Sequence, residues 1–419
     1  MIAIKNSRIV LEDSILEGKV LLIEGDRILG FSDEVPEAER VIDAHGRYVT
    51  PGFIDIHSDK IEQFILPRPT AKFDFELALK ECERELLHLG ITTIYHSLSL
   101  YKDEMFGKSP LRTQENVRKI ADLIRDIHER NHLIHHRFHL RLEIDNIGAY
   151  GIAKEMIEKK MIDEISFMDH SPGQGQYRDI GMYYQVLEKY QNREIKEEEF
   201  AQMLEEQQNK EMLSFAQMKE LCELAHANGI AVASHDDDTK EKLHINEKIG
   251  VDISEFPINI ETAKEARQLG FYTVVGAPNI LLGGSHSGNM SAAEAIEAGC
   301  ADVLCSDYYP PAILHGVFKM HEKAGIDLPQ MVQKATLNPA KAVGLAEDYG
   351  SIAPGKKADL LIIDILDGYP VITHVLVDGR TTSRVEYRQR IFICITQRKK
   401  SIPVRILTLL WNRDSLSVS

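Results

Sequence analysis

Apolar positions recur along the chain in two rhythms. Residues 1–50 alternate with a period of two, in MIAIKNSRIV and then KVLLIEGDRILGF, with Glu24-Gly25-Asp26 as a turn, which predicts short strands. A matching stretch returns late in the chain, KADLLIIDI and HVLVDGR within residues 357–380. Neither piece has enough strands to close a core alone, so residues 1–50 and 350–380 are expected to pair into one small β-sandwich domain. Between them, over residues 51–349, short near-continuous apolar runs alternate with helix-periodic stretches. The runs predict strands at Phe53–His57, Ile91–Leu98, Phe138–Ile144, Glu164–His170, Ile230–His235, Asp252–Phe256, Thr273–Ala277 and Asp302–Ser306. The helical stretches include ELALKECERELLHLG, RKIADLIRDIHERN, SFAQMKELCELAHANG, IETAKEARQLG and SAAEAIEAGC, and several end in glycine (Gly90, Gly229, Gly270, Gly299), as a helix C-cap should. Eight such units predict an α/β fold, a (β/α)8 barrel of the TIM type. The rival, an open doubly wound sheet, needs a topological switch point that the pattern does not offer.

Two stretches depart from this alternation. Residues Tyr183–Lys210, with EIKEEEFAQMLEEQQNK, are acidic, polar and helix-prone, and read as a solvated helical excursion or mobile lid on the barrel mouth. Residues 381–419 carry eight Lys or Arg against Glu386 and Asp414, a net of +6 in a chain of net charge −16. That basic tail reads as frameshifted or read-through sequence, with a genuine extra segment as the alternative. It lies beyond the strands that close the small domain, so the barrel is expected to form without it.

In a barrel enzyme the chemistry sits at the C-terminal ends of the strands. The expected strand ends deliver His57 and Asp59, then Glu143 and Asp145, then Asp169 and His170, then His235-Asp236-Asp237-Asp238, Glu255 and Asp307. His57 and Asp59 lie in PGFIDIHSD (Pro51–Asp59), two residues apart, and so project from one face of the first strand. Each residue alone is ordinary in a loop. Their coincidence at one end of one barrel points to one or two divalent ions, zinc first, with manganese or iron as alternatives. Glu143 is the candidate to bridge two ions, and Asp307 the candidate general base that accepts a water's proton. The reaction class is metal-assisted hydrolysis.

Three loops bear on the substrate. Leu66-Pro67-Arg68-Pro69 places a guanidinium after the first strand, and Ser171–Arg178 (SPGQGQYR) offers glycines, Gln174 and Arg178 after the fourth. Gly283–Asn289 (GGSHSGN), with His286, follows the seventh, where barrel phosphates commonly sit. Together they favour a phosphorylated small molecule over a neutral amide. The net charge of −16 argues against a nucleic-acid surface and requires local cations for an anionic substrate. No apolar run approaches the roughly 20 residues that span a bilayer, so no membrane partner is expected. The opening MIAIKNSRIVLEDS lacks a signal-peptide core. Five cysteines without a CxxC pair fit reduced thiols, so a cytoplasmic protein, expected as a homo-oligomer, is the reading.

PGFIDIHSD on a first strand, bracketed by a split β domain, resembles the amidohydrolase superfamily of metal-dependent barrel hydrolases. More narrowly, IHSDKIEQFILPRP, FMDHSPGQGQYRD, ASHDDDT, GAPNILLGGSHSGN and LCSDYYPPAIL resemble the PhnM proteins of phosphonate metabolism, over about residues 1–380. That resemblance implies hydrolysis of α-D-ribose 1-methylphosphonate 5-triphosphate to the 5-phosphate and pyrophosphate. It implies metal ligands at His57, Asp59, Glu143 and His235, and the proton-handling aspartate at Asp307. Two positions depart from the superfamily pattern. Asp59 replaces the second His of an HxH pair, and Glu255 stands where a sixth-strand His is usual, leaving His170 or Glu255 to complete a second metal site. No fourth-strand lysine is placed for carboxylation, which counts against a hydantoinase or dihydroorotase. A deacetylase or deaminase acting on a neutral amide or amine is the alternative enzyme. A barrel that has lost its metal and works by association is the non-enzyme alternative.

Overall fold

The alternating stretches at the two ends of the chain form two facing sheets in the computed structural model, which describes residues 1–100, 111–191, 193–284 and 289–388. Seven short strands open the chain: β1 (Ile2–Lys5), β2 (Arg8–Val10), β3 (Ile15–Leu16), β4 (Val20–Glu24), β5 (Arg27–Ser32), β6 (Arg40–Asp43) and β7 (Tyr48–Pro51). Eight more follow: β8 (Phe53–Ser58), β9 (Ile91–Leu100), β10 (His135–Glu143), β11 (Glu164–Met168), β12 (Ala231–His235), β13 (Ile253–Glu255), β14 (Tyr272–Gly276) and β15 (Val303–Cys305). Three close the described chain: β16 (Leu360–Leu366), β17 (Tyr369–Val377) and β18 (Arg380–Arg384).

One terminal sheet runs β5-β4-β1-β6 and the other β18-β17-β16-β7-β2-β3, so the late strands join the early ones through the β16–β7 pairing. Their inner faces share one core, with Ile4, Leu21, Ile23 and Ile42 from the first sheet against Ile9, Val49, Leu360, Ile362 and Leu376 from the second. This is the sandwich that the alternation predicts.

Strands β8 to β15 pair in sequence order, each parallel to the next. Every residue of β8 and β9 is buried, which is why these strands read as unbroken runs rather than as alternations. The ends of this sheet meet. Asp307 N donates to His57 O at 3.0 Å and Asp59 N donates to Asp307 O at 3.1 Å, so the barrel is closed at its C-terminal rim. Helices wrap the outside, with starts fixed by local chemistry: Asp74 caps Phe75–His88, and Ser214 with Gln217 forms a capping box on Phe215–Ala227. Among the described residues, no helix is long and apolar enough to cross a membrane.

The strands lie within a few residues of the predicted positions. Two differences matter for the site. β11 ends at Met168 and β15 at Cys305, so His170 and Asp307 stand on the loops just beyond their strands. The polar stretch 183–210 also carries more than a solvated face. Helices Ile180–Gln191 and Glu197–Gln208 share their own small core of Tyr183, Leu187 and Ile195, with Tyr184, Phe200, Met203 and Leu204 against it. Apolar residues at helical spacing among the acids account for it.

A polar network ties the sandwich to the barrel floor. Lys357 Nζ reaches Asp26 at 2.6 Å and Asp378 at 3.0 Å, while His135, at the start of β10, lies 3.1 Å from Asp359. Gly379 sits in this contact with φ of +70°, and a methyl group there would overlap the Gly25 carbonyl. Gly379→Ala is therefore expected to destabilise the fold by roughly 2–4 kcal/mol. Chemical denaturation of the two proteins checks this, and an unchanged midpoint would contradict the packing described.

Candidate metal-dependent active site

The barrel rim gathers its polar side chains because three residues that follow strand ends turn sharply. Asp236, Phe256 and Asp307 have φ of +51°, +53° and +55°, left-handed values that cost a non-glycine residue energy. They follow β12, β13 and β15 closely and set the directions in which those strand ends leave the barrel. On the first strand the register against β9 slips between Asp55 and Ser58, a bulge around His57. The seam then locks: Ser306 N donates to Asp55 Oδ1 at 3.0 Å, and Ser58 Oγ donates to the Asp307 carbonyl at 3.2 Å.

Of the residues picked out from the sequence, His57, Asp59, Glu143, His170, His235 and Asp307 come together on this rim. His57 and His235 have ring centroids 5.5 Å apart, and those of His235 and His170 are 6.3 Å apart. His170 Nδ1 faces both oxygens of Glu143, at 2.8 and 3.0 Å. Burial opposes ionisation of Glu143, but the His170 charge and hydrogen bond outweigh it and hold the carboxyl below its usual range. The same pairing overrides the effect of burial on His170 and raises its pKa. Burial raises Asp59, and it pushes Asp307 up to about 7 with help from the Asp59 charge. Gly276 closes β14 beside Asp307, where a Cβ would stand 3.8 Å from the carboxylate, in ordinary van der Waals contact.

The other strand-end residues have structural work. Glu255 Oε1 lies 2.6 Å from His57 Nδ1, so this carboxylate orients His57 from behind instead of joining the rim side chains. His57, His139 and Glu255 do bring ligand atoms within 4.8 Å of one another. Yet both nitrogens of His139 already have partners, Ser97 Oγ and Ile56 O for Nδ1 and Ser166 Oγ for Nε2. Asp237 accepts from Ser234, Ser254 and Asn246, Asp169 caps Ser171 N, and Asp145 pairs with Lys210. Asp238 accepts from Gly175 N at 2.9 Å. Gly175, with φ of +52°, packs so close to the Asp236 carbonyl that a Cβ would sit 3.0 Å from it. The glycine of that loop thus serves the docking of one rim loop on another.

Arg68, Gln174 and Arg178 are exposed on the loops after β8 and β11 and make no hydrogen bond to the rim residues. His286 and the chain from 389 onward lie outside the described residues. One residue absent from the sequence reading is Arg141. It stands two positions before Glu143 on β10, the same face of the same strand, and its charge acts on His57, Asp59, Glu143 and Asp307. The signal was the RLE spacing.

The donor set suits a divalent cation. Asp59 Oδ1, His235 Nδ1 and Asp236 Oδ2 are buried without a hydrogen-bond partner, although His235 Nδ1 and Asp236 Oδ2 are 3.0 Å apart. Buried polar atoms without partners are costly, and a coordinated ion would satisfy them.

Residues 48–382 match the family described as Amidohydrolase family. The chain is 32% identical over 381 residues to alpha-D-ribose 1-methylphosphonate 5-triphosphate diphosphatase of Escherichia coli (strain K12), covering 90% of this chain and 99% of that protein. Among solved structures it resembles N-acetylglucosamine-6-phosphate deacetylase from Pasteurella multocida, with a TM-score of 0.56 and 14% identity over 90% of this chain and 98% of that one. It also resembles dihydropyrimidinase from Brevibacillus agri, with a TM-score of 0.57 and 13% identity over 91% and 95%. These two likenesses concern the fold.

Loading metal-free protein with Zn²⁺ or Mn²⁺ is expected to release protons. Asp59, Asp307 and His170 all hold protons above their ordinary pKa values, and a cation beside them favours the deprotonated forms. Calorimetry in buffers of different ionisation enthalpy should show about one proton or more per ion at pH 6, and fewer at pH 8.5. Equal release at both values would mean that the ion binds elsewhere.

Proposed function

Since the chain belongs to the amidohydrolase family, we propose that it hydrolyses α-D-ribose 1-methylphosphonate 5-triphosphate to the 5-phosphate and pyrophosphate. What supports this reading is the 32% identity to the diphosphatase, over 90% of this chain and 99% of that protein. Among the described residues, four buried cysteines without disulfide partners suit the reducing cytoplasm in which we place the reaction.

In this reading His57, Asp59, Glu143, His170 and His235 hold one or two divalent ions, zinc first. The ion, when bound, supplies Lewis acidity to a phosphoryl oxygen and to water. Glu255 fixes the orientation of His57 through the 2.6 Å contact at Nδ1. Asp307 accepts the proton of the attacking water as a new oxygen–phosphorus bond forms. The anhydride bond between the α and β phosphorus atoms breaks, and pyrophosphate leaves. Arg68, Gln174 and Arg178 on the rim loops, with His286, are assigned to the distal phosphates and the sugar. A chain of net charge −16 needs such local cations to draw in a triphosphate.

The test is release of pyrophosphate from the phosphonate triphosphate by metal-loaded and chelated protein. Turnover should require metal, and Asp307→Asn should lower kcat by about 10²–10⁴-fold. Full activity in the chelated protein would sink the proposal. The acid side of the pH profile supplies a second check. Protonated Asp307 cannot accept a proton, so the rate should fall as pH drops below its pKa. That pKa is about 7 in the metal-free protein, and a neighbouring cation lowers it. A rate still climbing well above pH 8 would assign the base to another group.

A further inference from the structure

The inward face of β10 presents His135, Arg137, His139, Arg141 and Glu143 at alternate positions. Their fates differ. Arg137 is tied to Asp163 at 2.9 Å, His139 is fully buried with both nitrogens bonded, and Glu143 holds His170. Arg141 alone of the five has no hydrogen-bond or ion-pair partner among the described residues, and its Nε is buried. It begins one strand layer below Glu143, yet it is half-buried where Glu143 is only 4% exposed. A side chain rooted deeper but more exposed must extend up the barrel towards the open mouth. There its charge acts on Asp59, Glu143 and Asp307.

An unpaired guanidinium is costly to hold in a buried ring. Its surroundings compensate only while the nearby carboxylates remain free. Once a divalent ion takes Asp59 and Glu143, Asp307 is the rim carboxylate left to answer Arg141, and it is neutralised when it takes the water's proton. The mouth then requires an anion at that point, and a neutral amide would leave the guanidinium unanswered. Arg68 and Arg178 do not meet this need, since they are exposed on rim loops.

We infer that Arg141 receives the non-bridging oxygens of the phosphoryl group under attack, as a fork of N–H donors beside the metal ligands. This rests on the proposed hydrolysis and makes Arg141 a catalytic residue of that reaction. The guanidinium neutralises charge that grows on those oxygens while the water–phosphorus bond forms, the anhydride bond breaks and Asp307 takes the proton. A flat fork suits this task better than a point charge, so lysine is a partial replacement only.

The test uses the full-length metal-loaded protein with Arg141→Gln and Arg141→Lys. It measures metal content, pyrophosphate affinity by calorimetry, and kcat and KM on the phosphonate triphosphate. Both variants are expected to keep the wild-type metal content. Arg141→Gln should bind pyrophosphate about 10-fold or more weakly and lose about 10²–10⁴ in kcat. Arg141→Lys should recover most of the pyrophosphate affinity but little of kcat. Wild-type pyrophosphate affinity in Arg141→Gln, or metal loss in both variants, would overturn the inference, the second by making Arg141 a support for the carboxylates. If wild-type protein leaves the triphosphate intact but binds pyrophosphate through Arg141, the anion-binding role stands and the proposed substrate falls.

Discussion

Closure of the barrel is the constraint on which the rest depends. The first and last strands meet through the Asp307 N–H on the His57 carbonyl and the Asp59 N–H on the Asp307 carbonyl. The residues that seal the sheet therefore also carry three of the six rim side chains. Asp307 meets both partners with a left-handed backbone, and the surrounding hydrogen bonds of Ser58, Asp55 and Ser306 hold it there. An error of one residue in this seam would point His57, Asp59 and Asp307 away from one another.

Beneath the rim the barrel interior combines an apolar plug with a polar layer. A plug of Ile54, Ile56, Tyr95, Ala233, Ile253, Val274, Val303 and Cys305 packs on Ala340, Ala342 and Val343. The remaining inward positions of β10, β11 and β13 are charged or hydrogen-bonding, among them His139, Glu164 and Glu255. Burial raises the pKa of both Glu164 and Glu255 and so favours their protonated forms. This polar layer orients His57 from below, while the SPGQGQ loop braces the rim from above through Gly175 and Asp238. The helical pair 180–208 joins the same brace, since Tyr177 packs both on Tyr183 and 5.9 Å from the His170 ring.

Much of this was legible in the sequence. Eight apolar runs, six of them ending in a carboxylate or imidazole, marked the barrel and its working end, and the i, i+2 spacing of His57 and Asp59 placed both side chains on one face of the first strand. What escaped depends on cross-strand contact. Glu255 reads as a displaced ligand until its 2.6 Å contact with His57 is known. Asp145, Asp169, Asp237 and Asp238 have the composition of ligands, but each is consumed by a loop hydrogen bond or ion pair. Arg141 was hidden for the opposite reason. An arginine within a strand reads as a solvent-facing residue, and only barrel closure turns that face inward.

The central claim is that Glu143, His170 and the seam residues form one cation site. Metal content of the purified protein, measured by mass spectrometry after loading with Zn²⁺ and removal of excess, tests it most directly. Wild type should retain at least about one ion per chain, and Glu143→Gln with His170→Ala should retain markedly less while melting as one cooperative unit. Equal retention in both proteins would place the ion elsewhere and contradict the account.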